Sequence, residues 1–97
     1  MKPVKRLEIV IDQHYLQRLL RELEACGIDG YTVLDQVHGK GERGLREGDA
    51  LADIFTNAYV LVACPDDVAD KALEAIRPIL KQSGGMCLLS DAQWLKH

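Results

Sequence analysis

The chain is expected to fold as an α+β domain of the ferredoxin-like split βαβ type (βαββαβ), a four-stranded antiparallel sheet with two helices on one face. Three observations carry this expectation. Two stretches of helical periodicity are interleaved with four strand-like runs in the order strand, helix, strand, loop, strand, helix, strand. The second half of that order weakly duplicates the first. At 97 residues and 47% hydrophobic content, the chain supports one core and one domain over residues 1–97.

The first strand reads from Val4 to Ile11, where apolar residues alternate with Lys5, Arg6 and Glu8 before Ile9, Val10 and Ile11 run together. Asp12 has the chemistry of an N-cap. Leu16, Leu19, Leu20 and Leu23 then recur at the spacing of one helix face, and Gly27 is placed to end that helix in a left-handed conformation. Tyr31 to Val37 is a second strand, rich in β-branched and aromatic residues. From His38 to Asn57 neither period is clean, which predicts a long loop, and long loops in small domains are usually functional.

Ala58 to Cys64 is an apolar run of strand length, and Pro65-Asp66 opens the second helix. Its buried face is expected from Ala69, Ala72, Leu73, Ile76, Ile79 and Leu80, with Pro78 predicting a kink or an early stop near Arg77. After Ser83-Gly84-Gly85, Met86 to Leu89 forms the fourth strand; residues 90–97 stay unassigned or briefly extended. Two helices cover one face of such a sheet, yet the third strand is apolar at consecutive positions and asks for burial on both. Self-association through the open face meets that demand.

Bulk properties narrow the function. A net charge of −3 and a pI near 5.5 argue against a general binder of nucleic acid or anionic membranes, which needs a basic surface. An RNA-binding module of the same topology would also need solvent-facing aromatics on the central strands, and the chain has one Phe and three Tyr. Cys26, Cys64 and Cys87 are odd in number and form no CxxC pair, so they read as reduced structural thiols. No stretch reads as a signal peptide or membrane span, which makes the cytoplasm the expected compartment. No nucleophile and base stand at a meaningful spacing, so an enzyme is not expected.

The densest chemistry lies in Gly39-Lys40-Gly41-Glu42-Arg43-Gly44, directly after a strand. Glycines let peptide N–H groups turn inward, and Lys40 and Arg43, with Arg46 beyond, supply charge for an anion. The segment also matches GxGxxG literally. The dinucleotide-binding version of that motif requires a helix from the third glycine, and Gly48 interrupts any such first turn. Standing alone, a glycine loop of mixed charge is a solvated turn more often than a site. Trp94 and Tyr59 could stack on a base, although packing against the sheet or a neighbouring subunit is the commoner role for such rings.

The order of elements and several short motifs together resemble the PII signalling superfamily. Gly27-Ile28-Asp29-Gly30-Tyr31-Thr32-Val33 is similar to the Gly-x-x-Gly-x-Thr-Val that opens the family's second strand, and Gly39-Lys40-Gly41 to the Gly-x-Gly that leads into its T-loop. Ala63-Cys64-Pro65-Asp66-Asp67 resembles the Val-Val-Pro-Asp-Asp that joins its third strand to the next helix. The resemblance covers nearly the whole chain and implies a T-loop-like insertion at about 38–57. That insertion holds no tyrosine, and Arg43 stands where the family has a ligating glutamine. The B-loop is shortened to Ser83-Gly84-Gly85, so ATP is expected to bind more weakly than ADP or AMP. These departures are similar to the PII-like branch associated with carboxysomes and bicarbonate transport.

That resemblance implies a non-catalytic homotrimer binding ADP or AMP between subunits, together with bicarbonate. It assigns the nucleotide to Thr32, Gly39, Lys40, Gly41, Arg43, Ala63, Ser83, Gly84 and Lys96, and bicarbonate to Lys40, Arg43 and Arg46. It further implies a protein effector, with a bicarbonate transporter or a carboxysome component as candidates, and no metal and no nucleic acid. A trimeric metal-tolerance protein or a small enzyme on the same fold is the alternative, because topology alone does not select function.

Overall fold

A computed structural model of the chain describes residues 1–39 and 56–96. The elements are β1 (Lys2–Asp12), a 3-10 turn (Gln13–Tyr15), α1 (Leu16–Ala25), β2 (Thr32–Val37), β3 (Asn57–Cys64), α2 (Asp66–Ser83) and β4 (Met86–Trp94). The strands form one sheet in the order β2-β3-β1-β4, and every neighbouring pair is antiparallel. This is the expected ferredoxin-like arrangement, with each helix joining two consecutive strands that are not adjacent in the sheet.

Parity along the strands divides the sheet into two unlike faces. Leu7, Ile9 and Ile11 of β1 pair with Val62, Val60 and Ala58 of β3, and all six are buried under the helices. Leu19 and Leu23 from α1 and Ile76 and Ile79 from α2 complete that layer. Asp12 caps as expected: its carboxylate accepts a hydrogen bond from the His14 N–H at 2.9 Å, although the first turn is 3-10 and α1 begins at Leu16. Asp66 and Asp67 sit in the first turn of α2, where carboxylates interact favourably with the helix dipole.

Two expectations change. The fourth strand continues through Trp94, because β4 follows the full length of β1 as far as the Lys2–Trp94 pair. The early stop near Arg77 does not occur: α2 runs unbroken to Ser83 with Pro78 inside it. Pro78 is exposed and so is Glu74, whose carbonyl loses the missing N–H and can turn to water. Burial of Ile76 on one side and Ile79 on the other holds the helix across the defect. Pro78→Ala is therefore expected to stabilise the fold by about 1–2 kcal/mol, the helix-propensity gain less the entropy that proline removes from the unfolded chain. Chemical denaturation checks this, read as a higher midpoint at unchanged slope.

The face away from the helices carries Leu34, Met86 and Leu88, about half exposed, with Tyr59, Leu61 and Val10 half-buried between them. A polar chain crosses its middle. The Tyr59 hydroxyl donates to Glu8 Oε2 at 3.0 Å, Arg6 Nε lies 3.3 Å from Glu8 Oε1, and the same Nε donates to Ser90 Oγ at 3.0 Å. Burial and the Glu8 carboxylate both raise the Tyr59 phenol above its ordinary pKa, so it stays a donor at neutral pH. Within one chain, nothing among the described residues covers this face.

Candidate functional site

β2 has a cleft at each end, and the residues assigned to a ligand divide between them. At its start, α1 ends on Cys26 and the chain leaves through Gly27 at φ +94°, a conformation that a Cβ disfavours. The Gly27 N–H donates to the Glu24 carbonyl and the Ile28 N–H to the Leu23 carbonyl, each at 3.0 Å, while Ile28 itself is buried. The Tyr31 hydroxyl donates to Glu24 at 3.1 Å. The turn from 27 to 31 is thus fastened to α1 at both ends and forms one wall of a cleft of about 600 Å³. Thr32, Leu61, Ala63 and Trp94 line its sheet side.

The second cleft, of about 830 Å³, lies where β2 ends, against His38, Gly39, Asn57, Gly84 and Met86. Two local features shape it. Gln36 takes φ +57° at a bulge between Leu34 and Val37, which turns the strand before Gly39. α2 closes with Gly84 in the left-handed region, and the Gly84 and Gly85 N–H groups both donate to the Leu80 carbonyl, at 2.9 and 3.1 Å. Ser83 is buried, and its hydroxyl accepts from the Gly85 N–H and donates to Leu80. These amides are engaged within the turn, so the Ser83–Gly85 segment offers a ligand shape more than donors.

Thr32 and Ala63 therefore share the first cleft, whereas Gly39 and Gly84 share the second. Lys96 is exposed, two residues beyond Trp94, at the first cleft's end of the sheet without lining it. Lys40, Gly41, Arg43 and Arg46, and most of the 38–57 insertion, lie outside the described residues. Thr32 and Gly39 stand seven strand steps apart, roughly 20 Å, although the two linings come within two residues of each other, at Thr32 and Leu34 on β2 and at Leu61 and Tyr59 on β3. One chain does not bring all its assigned residues together.

Each described lining carries one carboxylate. Asp29 is the only charged residue lining the first cleft and Asp12 the only carboxylate lining the second, and in sequence Lys40, Arg43 and Arg46 follow Gly39. Trp94, one of the two rings named from the sequence as able to stack on a base, reaches the first cleft because β4 continues past Leu89. The thiols are free, and burial pushes Cys87 up to about 11 and also raises Cys64, which leaves both unionised at neutral pH. Among the described residues no three His, Cys, Asp or Glu side chains converge as metal ligands, and no described helix is long and apolar enough to cross a membrane.

Comparison with known proteins gives a family match and several similar solved structures. The family model described as nitrogen regulatory protein P-II matches residues 4–97. CPII from Thiomonas intermedia, a nitrogen regulatory PII-like protein bound to ADP, AMP and bicarbonate, superposes with a TM-score of 0.79 at 26% identity, covering 95% of this chain and 88% of that one. The same protein bound to ADP, AMP and acetate gives a TM-score of 0.83 at 22% identity, over 98% and 91%. A PII-like signalling protein from Thermus thermophilus gives 0.73 at 18% identity, over 94% and 87%. No curated protein matches the sequence significantly.

Proposed function

We propose, from the premise that this chain belongs to the nitrogen regulatory protein P-II family, that it is a cytoplasmic homotrimer binding ADP or AMP in clefts between subunits, together with bicarbonate. The family is one of non-catalytic signalling proteins, and this chain is a PII-like member of it. Its output is a change in the 38–57 loop, read by a protein effector that fits the branch tied to bicarbonate transport and carboxysomes. The carrying observation is the separation of two half-sites along β2, one apolar and one leading into the cations Lys40, Arg43 and Arg46. An adenylate needs both, and a ring of three copies supplies both at every seam by apposing one chain's first cleft to the next chain's second. The 26% identical CPII, bound to ADP, AMP and bicarbonate, supports the choice of ligands.

Bicarbonate is a small anion placed beside phosphate, so it needs added positive charge nearby, and Arg43 and Arg46 are the groups to supply it. Calorimetric titration of ADP with and without bicarbonate tests the coupling, which must be reciprocal. Tighter ADP binding in bicarbonate is the expected result; an affinity that ignores bicarbonate removes the co-ligand. Arg43→Ala is expected to weaken ADP while leaving adenosine unchanged, and equal losses would take Arg43 off the phosphate.

A mixing experiment tests the shared site itself. Ala63→Trp fills the first cleft and Arg43→Ala empties the second of a cation, so each pure trimer binds ADP poorly. Co-refolded at equal amounts, the two chains should restore native sites at about a quarter of the seams, where two unaltered halves meet. No restoration would place the whole site within one chain.

A further inference from the structure

We infer that Trp94 is the stacking wall for the nucleotide base, so that the base enters the cleft at the start of β2 and the phosphates point across the seam. The inference rests on the nucleotide reading above and adds the residue that holds the ring. Trp94 is 51% exposed at the end of β4, on the face of the sheet that also carries Ala63 and Leu61, and it lines the same cleft. The tyrosines near the two clefts are already held by their hydroxyls: Tyr31 donates to Glu24 and Tyr59 to Glu8. A half-exposed indole beside a preformed cleft of about 600 Å³ is a surface waiting for a flat apolar partner.

Three further features select a base over other occupants. The cleft walls are apolar side chains and a fastened backbone turn, with no lysine or arginine among them. Asp29, the only charge there, repels phosphate and bicarbonate alike. Ala63 is small and exposed on the floor, which leaves room for a ring to lie against the indole. Stacking of this kind tolerates any base with a sufficient π-face, so Trp94 supplies affinity and polarity and favours the larger purine ring over a pyrimidine.

Trp94 is the only tryptophan in the chain, which makes the emission of the intact wild-type protein a report on this residue alone. Titration with ADP is expected to quench that emission in step with the calorimetric binding curve, whereas pyrophosphate leaves it unchanged. Trp94→Ala is expected to weaken ADP and adenosine alike by roughly tenfold to a hundredfold, the range for loss of one stacked base. Trp94→Phe should recover most of that loss. ADP binding with unaltered emission, or full affinity in Trp94→Ala, would overturn the inference and leave the nucleotide reading standing. Absence of ADP binding to the wild-type protein would overturn both. Should Trp94→Ala fail to assemble, the wild-type emission titration and the Trp94→Phe affinity decide the question.

Discussion

Leu88→Asp is expected to leave each chain folded, to dissociate the assembly into monomers and to lower ADP affinity by about a hundredfold or more. Leu88 is 54% exposed on the open face of the sheet, so its replacement removes little from the chain's own core. Its cross-strand partner on β1 is Glu8, which already pairs with Arg6 and Tyr59. A second carboxylate opposite Glu8 adds like-charge repulsion, and covering it at a seam between subunits costs far more than covering leucine. ADP affinity is expected to fall because the proposed site needs two chains, and Leu88 itself lines the second cleft, which adds a direct loss.

Sedimentation and calorimetry on the same sample read both effects. Monomers that bind ADP normally would disprove a shared site, and an intact trimer would move the seam to another surface. The variant complements the mixing experiment, because it removes every seam where the other rebuilds a fraction of them.

Gly85→Ala is expected to destabilise the fold by about 3 kcal/mol, at the upper end for an overpacked site. A Cβ at residue 85 would stand 2.8 Å from the Val10 carbonyl oxygen, with Leu80 Cδ2 and Ser83 Oγ each at 3.2 Å. The nearest of these is backbone of β1, in the centre of the sheet, and cannot swing aside. Relief requires moving the start of β4 or the end of α2, which breaks the Gly85 N–H bonds to Leu80 and Ser83. The denaturation midpoint should fall at unchanged slope, and a loss below about 1 kcal/mol would mean that the turn yields easily. Gly27 and Gly84 differ in kind, since each is needed for its positive φ.

Much of this architecture was legible in the order of residues because periodicity reports burial directly. Leu16, Leu19, Leu20 and Leu23 announce one helix face, and all four are buried. Consecutive apolar residues in β3 announce a demand for two covers; the helices satisfy Ala58, Val60 and Val62, while Tyr59, Leu61 and Ala63 face outward. Local punctuation also carried far, with Asp12 capping and Gly27 turning as their chemistry requires. The rules failed where tertiary packing overrode a local preference. Pro78 disfavours a helix at its own position, but Ile76 and Ile79 bury enough surface around it to keep α2 whole.

The candidate site was less legible than the fold, for a geometric reason. Thr32, Gly39, Ala63 and Gly84 come from short motifs that tell which end of its own strand each occupies, but not which ends of different strands stand side by side. Composition, periodicity and motif order were enough to establish a split βαβ sheet with one unsatisfied face and a cationic glycine segment after β2. Strand pairing alone revealed that Thr32 and Ala63 lie at one end of the sheet while Gly39 and Gly84 lie at the other, with Trp94 brought beside the first pair from a distant part of the chain. The reason is that register is a long-range property: a strand's own residues set which face is buried, but its neighbours' alignment sets which side chains meet across it.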